Sequence, residues 1–288
     1  MPAQIVIYPD KFKFGGSRLR IGRLDWSIVS HEHSDNLAEL LDTLSCGIGQ
    51  NKAQLVQRRK GHQSWIEDVK QCRYFIKQYY PRNVRNRLTY LFRTNRAKTE
   101  CHNISRLACK GIPVPKILAY ADRRIFGWWM ESYLVFNYYD DYVSLRNSCD
   151  IADPISCARK LANEVARMHD RGIYYGDLHA GNVLVKPIVS GRQTASVDYR
   201  FVFVDVDKIK DFEHLPKDQW IDDLARLNGF IETDIAARLN FLTTYCRNRR
   251  LPDIRTLYKL INIRTEELWA SRFKKNGVDE RKYPKIDL

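Results

Sequence analysis

Met168-His169-Asp170-Arg171-Gly172-Ile173-Tyr174-Tyr175-Gly176-Asp177-Leu178-His179-Ala180-Gly181-Asn182-Val183-Leu184-Val185 is the stretch on which the reading of this chain turns. Ahead of it, Ile155, Ala158, Leu161, Ala162, Val165 and Met168 recur at helical spacing. Asp153-Pro154 opens that helix with a capping side chain and a first-turn proline, and Gly172 closes it. A tight loop then carries Asp177 and Asn182, five residues apart, and Val183–Val185 reads as a short buried strand. A polar loop containing Gly191 leads to a second apolar strand, Phe201–Val206, with Asp205 in Phe203-Val204-Asp205-Val206-Asp207 at its end.

Phosphoryl transfer needs such a set. One carboxylate orients the acceptor hydroxyl and takes its proton, while an amide oxygen and a second carboxylate hold magnesium on the phosphates. Asp177, Asn182 and Asp205 have the order and spacing of a kinase catalytic loop and its metal-binding aspartate. Upstream, Lys77 lies within the strand-like run Tyr74-Phe75-Ile76-Lys77-Gln78-Tyr79-Tyr80. Glu100 follows as the sole acid between Lys70 and Asp122, in a segment that reads helical from Arg82 to Cys109. A Lys77–Glu100 pair would hold the lysine against the α- and β-phosphates of a nucleotide.

Around these segments the elements are mixed. Gly111-Ile112-Pro113-Val114-Pro115 breaks the helix, and strands are expected at Lys116–Tyr120 and Trp128–Tyr138. Beyond Leu215 the pattern is helical, clearest at Trp220–Leu227, Thr233–Tyr245 and Asp253–Phe273. Strands early and helices late argue an α+β protein in two lobes. Its 288 residues suit two lobes, and 44% hydrophobic with 28% charged residues is globular composition.

Charge is concentrated. Residues 51–125 hold 18 Lys and Arg against Glu67, Asp68, Glu100 and Asp122, an excess equal to the +14 of the whole chain. Such an excess points to an anionic partner. No apolar run is long enough to span a bilayer, and the first residues lack the apolar stretch of a secretory signal. The expectation is a cytoplasmic protein, soluble or peripheral on the inner membrane. Seven cysteines without a Cys-x-x-Cys pair argue against a disulfide framework or a structural zinc. His31 and His33 have no third ligand at useful spacing and read as a solvated loop.

At these residues the chain resembles the Kdo/WaaP lipopolysaccharide kinases over nearly its whole length. The resemblance rests on the Lys77 strand, Glu100, the Gly111-Ile112-Pro113-Val114-Pro115 turn, Gly176-Asp177-Leu178-His179-x-x-Asn182, and Val204-Asp205-Val206-Asp207-Lys208. It implies a bilobal protein-kinase-like fold, with a β-rich N-terminal lobe over 1–135 and a mainly α-helical C-terminal lobe over 136–288. It also implies phosphorylation, using ATP and Mg2+, of a sugar hydroxyl in the lipopolysaccharide inner core, on Kdo or heptose. By the same resemblance Asp177 is the catalytic base, and Asn182 and Asp205 are the magnesium ligands. Lys77 with Glu100 anchors ATP, and residues 136–140 meet adenine through backbone groups.

The chain departs from the kinase pattern in three places. Tyr175 stands where many kinase relatives carry histidine or arginine. No clean glycine-rich phosphate loop precedes Lys77; the best candidate is Gln57-Arg58-Arg59-Lys60-Gly61-His62-Gln63-Ser64-Trp65, with the single glycine Gly61. The segment from Asp207 to Trp220 is too short for a long activation loop, and no Ala-Pro-Glu follows, which argues against a protein substrate. His179 is expected to brace the loop rather than act as base. Arg82, Arg85, Arg87, Arg93, Arg96 and Lys98 surround one apolar stripe, either as a solvated helix face or as a surface for lipid A phosphates or the anionic leaflet. Two other functions compete with the leading one. A soluble kinase of the aminoglycoside or choline kinase type shares the loop but has no need of the basic lobe. A catalytically dead, nucleic-acid-binding relative has no reason to keep the full Lys/Glu/Asp/Asn/Asp set, so no nucleic acid is expected.

Overall fold

The computed structural model describes residues 18–21, 24–29, 34–46, 53–83, 96–147, 151–189, 197–229 and 235–276. These divide into two compact units. One takes the described residues of 9–108 and 115–140; the other takes 109–114 and the described residues of 141–288.

The first unit is built on an antiparallel sheet. Its strands are β1 (Arg18–Ile21), β2 (Leu24–Ile28), β3 (Gln54–Arg59), β4 (His62–Val69), β5 (Cys72–Tyr79), β6 (Ile117–Ile125) and β7 (Trp128–Asn137). They lie in the order β1-β2-β6-β7-β5-β4-β3. Helix α1 (Ser34–Cys46) covers one face: Leu37, Leu40, Leu41 and Leu44 repeat at i, i+3, i+4 and i+7. They pack with Trp26, Trp65, Tyr74, Ile76, Tyr133 and Val135 in one buried cluster. Because strand side chains alternate, burying Tyr74 and Ile76 there turns Phe75, Lys77 and Tyr79 to the other face. Helix α2 (Arg96–Cys109) buries Ala97, Glu100, Cys101, Ile104 and Leu107.

The strand around Lys77 begins at Cys72, slightly earlier than the aromatic run predicted. The expected helix from Arg82 differs at its start: Arg82 and Asn83 are bends, the described helix begins at Arg96, and residues 84–95 lie outside the described set. Arg85, Arg87 and Arg93 of that basic stripe lie there, and His31, His33 and Gly191 likewise lie outside the described residues. Helix α1 and strands β1 to β4 are elements that the motif-led reading did not assign. Leucine spacing in α1 was the available signal, whereas Glu67-Asp68 inside β4 hid the strand alternation.

The second unit is mainly helical, with α3 (Pro154–Asp170), α4 (Lys217–Asn228), α5 (Ile235–Asn248) and α6 (Ile254–Asn276). Asp153 caps α3 by accepting from the Ser156 N–H at 2.9 Å, with Pro154 in the first turn as expected. Helix α3 buries Leu161, Ala162, Val165 and Met168. The short strands are β8 (Val143–Ser144), β9 (Ile173–Tyr174), β10 (Val183–Val189), β11 (Val197–Phe203) and β12 (Lys210–Asp211). They pair antiparallel as β11-β10-β8 and β12-β9. The second strand of the motif therefore ends at Phe203 instead of Val206, and Val204–Val206 leave the ladder. Among the described residues no helix is long and apolar enough to cross a membrane. Cys72, Cys101, Cys109, Cys157 and Cys246 are free thiols, with Cys101, Cys157 and Cys246 buried.

Candidate active site

Chemistry-bearing side chains gather in each unit. In the sheet unit, β5 presents Lys77 on the face opposite the α1 core, and its ammonium lies 2.8 Å from Glu100 Oε1 of α2. Both groups are buried. Tyr79, two residues further on the same face, donates its hydroxyl to the other Glu100 oxygen. A carboxylate held from both oxygens in a desolvated place fixes the lysine in position. Gln57–Trp65 is a hairpin here, not an extended loop: β3 runs to Arg59, Lys60-Gly61 turns, and β4 starts at His62. Gly61 has φ +91° and accepts from the Tyr80 N–H at 3.1 Å. Register sets Ser64 of this hairpin directly opposite Lys77. In the 136–140 segment, the Tyr138 N–H donates to Arg73 O at 3.0 Å, so that donor is spent inside the protein.

In the helical unit, β9 delivers the chain into the loop 175–182 and β10 takes it out. Asn182 closes a 3-10 turn, its backbone N–H bonded to His179 O at 2.8 Å. The Asn182 amide nitrogen donates to Asp177 O at 3.0 Å, so the side chain offers its oxygen. The Asn182 carbonyl in turn accepts from the Val204 N–H at 2.9 Å, which brings Asp205 beside the loop. Asp205 itself sits at φ +60°, a conformation non-glycine residues rarely adopt. The Asp177 carboxylate lies between two cations: Lys208 Nζ at 2.6 Å from Oδ2 and Arg226 Nη1 at 3.8 Å from Oδ1. Gly176 has φ +78°, and a Cβ there would stand 2.9 Å from Lys208 O. Glycine at 176 is thus what lets the segment carrying Lys208 close on Asp177.

Two bracing groups escaped the motif reading. Asp223 of α4 is fully buried and accepts from the backbone N–H groups of Tyr175 at 2.6 Å and Gly176 at 2.9 Å. Burial pushes its carboxyl up, against hydrogen bonds that favour the charged form. Its neighbour Asp222 accepts from Tyr174 Oη, Arg226 Nε and Arg264, each within 2.9 Å. The signal was present in sequence as an acid pair at apolar positions between Ile221 and Leu224. Tyr175 supplies what its departure from the kinase pattern left open: its buried ring packs on Phe203 and its hydroxyl donates to Val204 O. His179 Nδ1 accepts from the Gly181 N–H at 3.1 Å, a brace within the loop. Burial, foremost, holds this imidazole below its ordinary value, against the pull of Asp177 and Asp205.

Among the described residues no group of three or more His, Cys, Asp and Glu gathers as a metal cage. Magnesium on a nucleotide takes one or two protein carboxylates plus phosphate oxygens, so an amide and an aspartate beside each other fit that ion and not a resident zinc.

A buried strand lysine paired with a helix glutamate, and an Asp/Asn loop tied to a following aspartate, make this a protein-kinase-like phosphotransferase acting on an alcohol group. The family comparison is specific: the lipopolysaccharide kinase (Kdo/WaaP) family profile matches residues 50–245, and the chain belongs to that family. A solved structure of WaaP in complex with acyl carrier protein is similar at 21% identity and a TM-score of 0.54. That match covers 76% of this chain and 89% of that one. The Rio2 kinase from Chaetomium thermophilum matches at 16% identity and a TM-score of 0.46, over 89% of this chain and 84% of its own. Comparison with curated protein sequences gave no match.

Proposed function

We propose that this kinase transfers the γ-phosphate of ATP to a hydroxyl of an inner-core sugar of lipopolysaccharide, Kdo or heptose. The observation that carries the reading is the setting of Asp177, joined through Asn182 and Val204 to Asp205 and flanked by Lys208 and Arg226. Asp177 orients the acceptor hydroxyl and takes its proton; Lys208 holds Oδ2, which directs that work to Oδ1. Asn182 and Asp205 would hold Mg2+, which supplies charge neutralisation on the phosphates when bound. Lys77, fixed by Glu100, engages the α- and β-phosphates, and the hairpin turn at Gly61 serves as the phosphate loop. The acceptor is bound in a bilayer by its acyl chains, so the protein works as a peripheral enzyme at the inner membrane, drawn there by its basic 51–125 region.

The test is ATP consumption with magnesium on lipopolysaccharide lacking core phosphate and, separately, on free Kdo, with Asp177→Ala as control. Phosphate incorporated into lipopolysaccharide, and lost in the variant, is the expected result. Asp177-dependent turnover on small soluble alcohols alone would replace the acceptor, and full turnover by Asp177→Ala would remove the base.

A further inference from the structure

At the turn of the β6–β7 hairpin, Phe126 and Gly127 have φ of +49° and +81°. Two successive positive φ values define a hairpin turn for which asparagine followed by glycine is the favoured pair. Phenylalanine in the left-handed region is a steric outlier. Phe126 is also 97% exposed. Backbone strain and hydration both disfavour an aromatic here, so its presence answers to a contact outside the fold. The flanking cross-strand pair, Ile125 and Trp128, is itself 41% and 36% exposed, which widens the apolar tip.

The sheet register gives the tip its reach. Tyr79, the last residue of β5, lies opposite both Ser132 of β7 and His62 of β4. Strand β7 begins at Trp128, so the β6–β7 hairpin runs on past that level. Four residues of strand is about 13 Å. The Lys60-Gly61 turn lies at the same end of the sheet, with Arg58, Arg59 and Lys60 exposed. At the base of the tip Arg123 pairs with Glu131 and Arg124 with Asp122, so among the described residues the uncompensated positive charge comes from the β3–β4 turn. An apolar, aromatic tip projecting past a basic turn has the chemistry of the bilayer interface, where rings sit at headgroup depth and cations meet phosphates. A protein partner fits less well, since a stable protein interface buries about 1,200–2,000 Å² and three side chains offer a small part of that.

We propose that Ile125-Phe126-Gly127-Trp128 is a membrane anchor, seated in the headgroup region of an anionic bilayer with Arg58, Arg59 and Lys60 against the phosphates. Its purpose rests on the lipid-held acceptor of the proposed function; the binding itself is measured independently of turnover. The experiment is sedimentation of the full chain with sucrose-loaded vesicles of equal parts phosphatidylethanolamine and phosphatidylglycerol, and with phosphatidylcholine vesicles. The wild type sediments with the anionic vesicles and less with the zwitterionic ones. Phe126→Asn lowers the partition coefficient about tenfold. Asparagine accepts the left-handed backbone, so the same variant keeps or raises the unfolding temperature and keeps its turnover on a deacylated core oligosaccharide. A ring needed only for folding would lower that temperature. Wild-type protein that stays in the supernatant overturns the anchor, as does Phe126→Asn that sediments like wild type; the latter result hands the tip to a protein partner. Failure to phosphorylate either acceptor counts against the acceptor reading and leaves the sedimentation result standing on its own.

Discussion

The two units hold their reactive groups by different means. In the sheet unit, Lys77 and Glu100 come from a strand and a helix 23 residues apart and meet through side chains alone, with Tyr79 on the second carboxylate oxygen. In the helical unit, the Asp177 loop is held by main-chain bonds: two N–H groups on Asp223, one on His179 O, and the Val204 N–H on Asn182 O. A side-chain cluster depends on the groups at the ends of its side chains. A backbone lattice keeps its shape when a reactive side chain is exchanged, so binding and chemistry separate cleanly there.

That contrast predicts where single substitutions act. The largest effect is Asp177→Asn, which keeps the loop and lowers kcat about 10³-fold. ATP affinity and thermal unfolding remain near wild type, as calorimetric titration and a melting scan would check; a lost fold would show that the side chain, and not the lattice, holds the loop. Glu100→Gln comes next. It removes the carboxylate charge that faces the buried Lys77 ammonium, at about 3 kcal/mol of stability, read as a shift in denaturant midpoint. It also raises KM for ATP more than it lowers kcat, the reverse of the Asp177 variant.

Asp222→Asn tests the support beneath the lattice. Burial pushes the Asp222 carboxyl up, but hydrogen bonds from Arg226, Tyr174 and Arg264 more than reverse this and hold it below its ordinary value. A depressed folded pKa means stability that is complete above the unfolded value of about 3.9 and is lost as pH falls through the lower folded value. The variant is therefore destabilised by about 2 kcal/mol at neutral pH, with the difference shrinking toward pH 3, as urea unfolding at both ends would record. The smallest effect is Tyr175→Phe, which keeps the ring on Phe203 and removes one bond to Val204 O. About 1 kcal/mol of stability and a few-fold loss in kcat are expected, because Asp223 continues to hold the loop.

Much of the fold was legible where pattern and chemistry coincide. Asp153-Pro154, the spacing from Ile155 to Met168 and Gly172 bound α3 as read, because caps and glycines act locally. Lys77 and Glu100 stood out as a charge in a strand and the sole acid of a basic stretch, and the structure brings them within 2.8 Å. Helix α1 was missed although its leucines keep helical period, since nothing chemical drew attention to it. Strand β11 was read too far along the chain because Val204 and Val206 are apolar; it runs from Val197 to Phe203, and Val204 and Val206 leave the ladder to place Asp205 at φ +60°. The Gln57–Trp65 stretch reads as a loop in one dimension and becomes a hairpin once β4 has β5 to pair with.

By itself the sequence determined the class of chemistry, the order of the reactive residues and the sign of the charge, because these depend on residue type and spacing. Only the tertiary structure decided that Asp223 clamps the loop through two backbone donors, that Lys208 and Arg226 bracket Asp177, and that Phe126 is left fully exposed. Each depends on which strand or helix packs beside which, and a desolvated aspartate or a stranded aromatic acquires its meaning from neighbours far away in the chain.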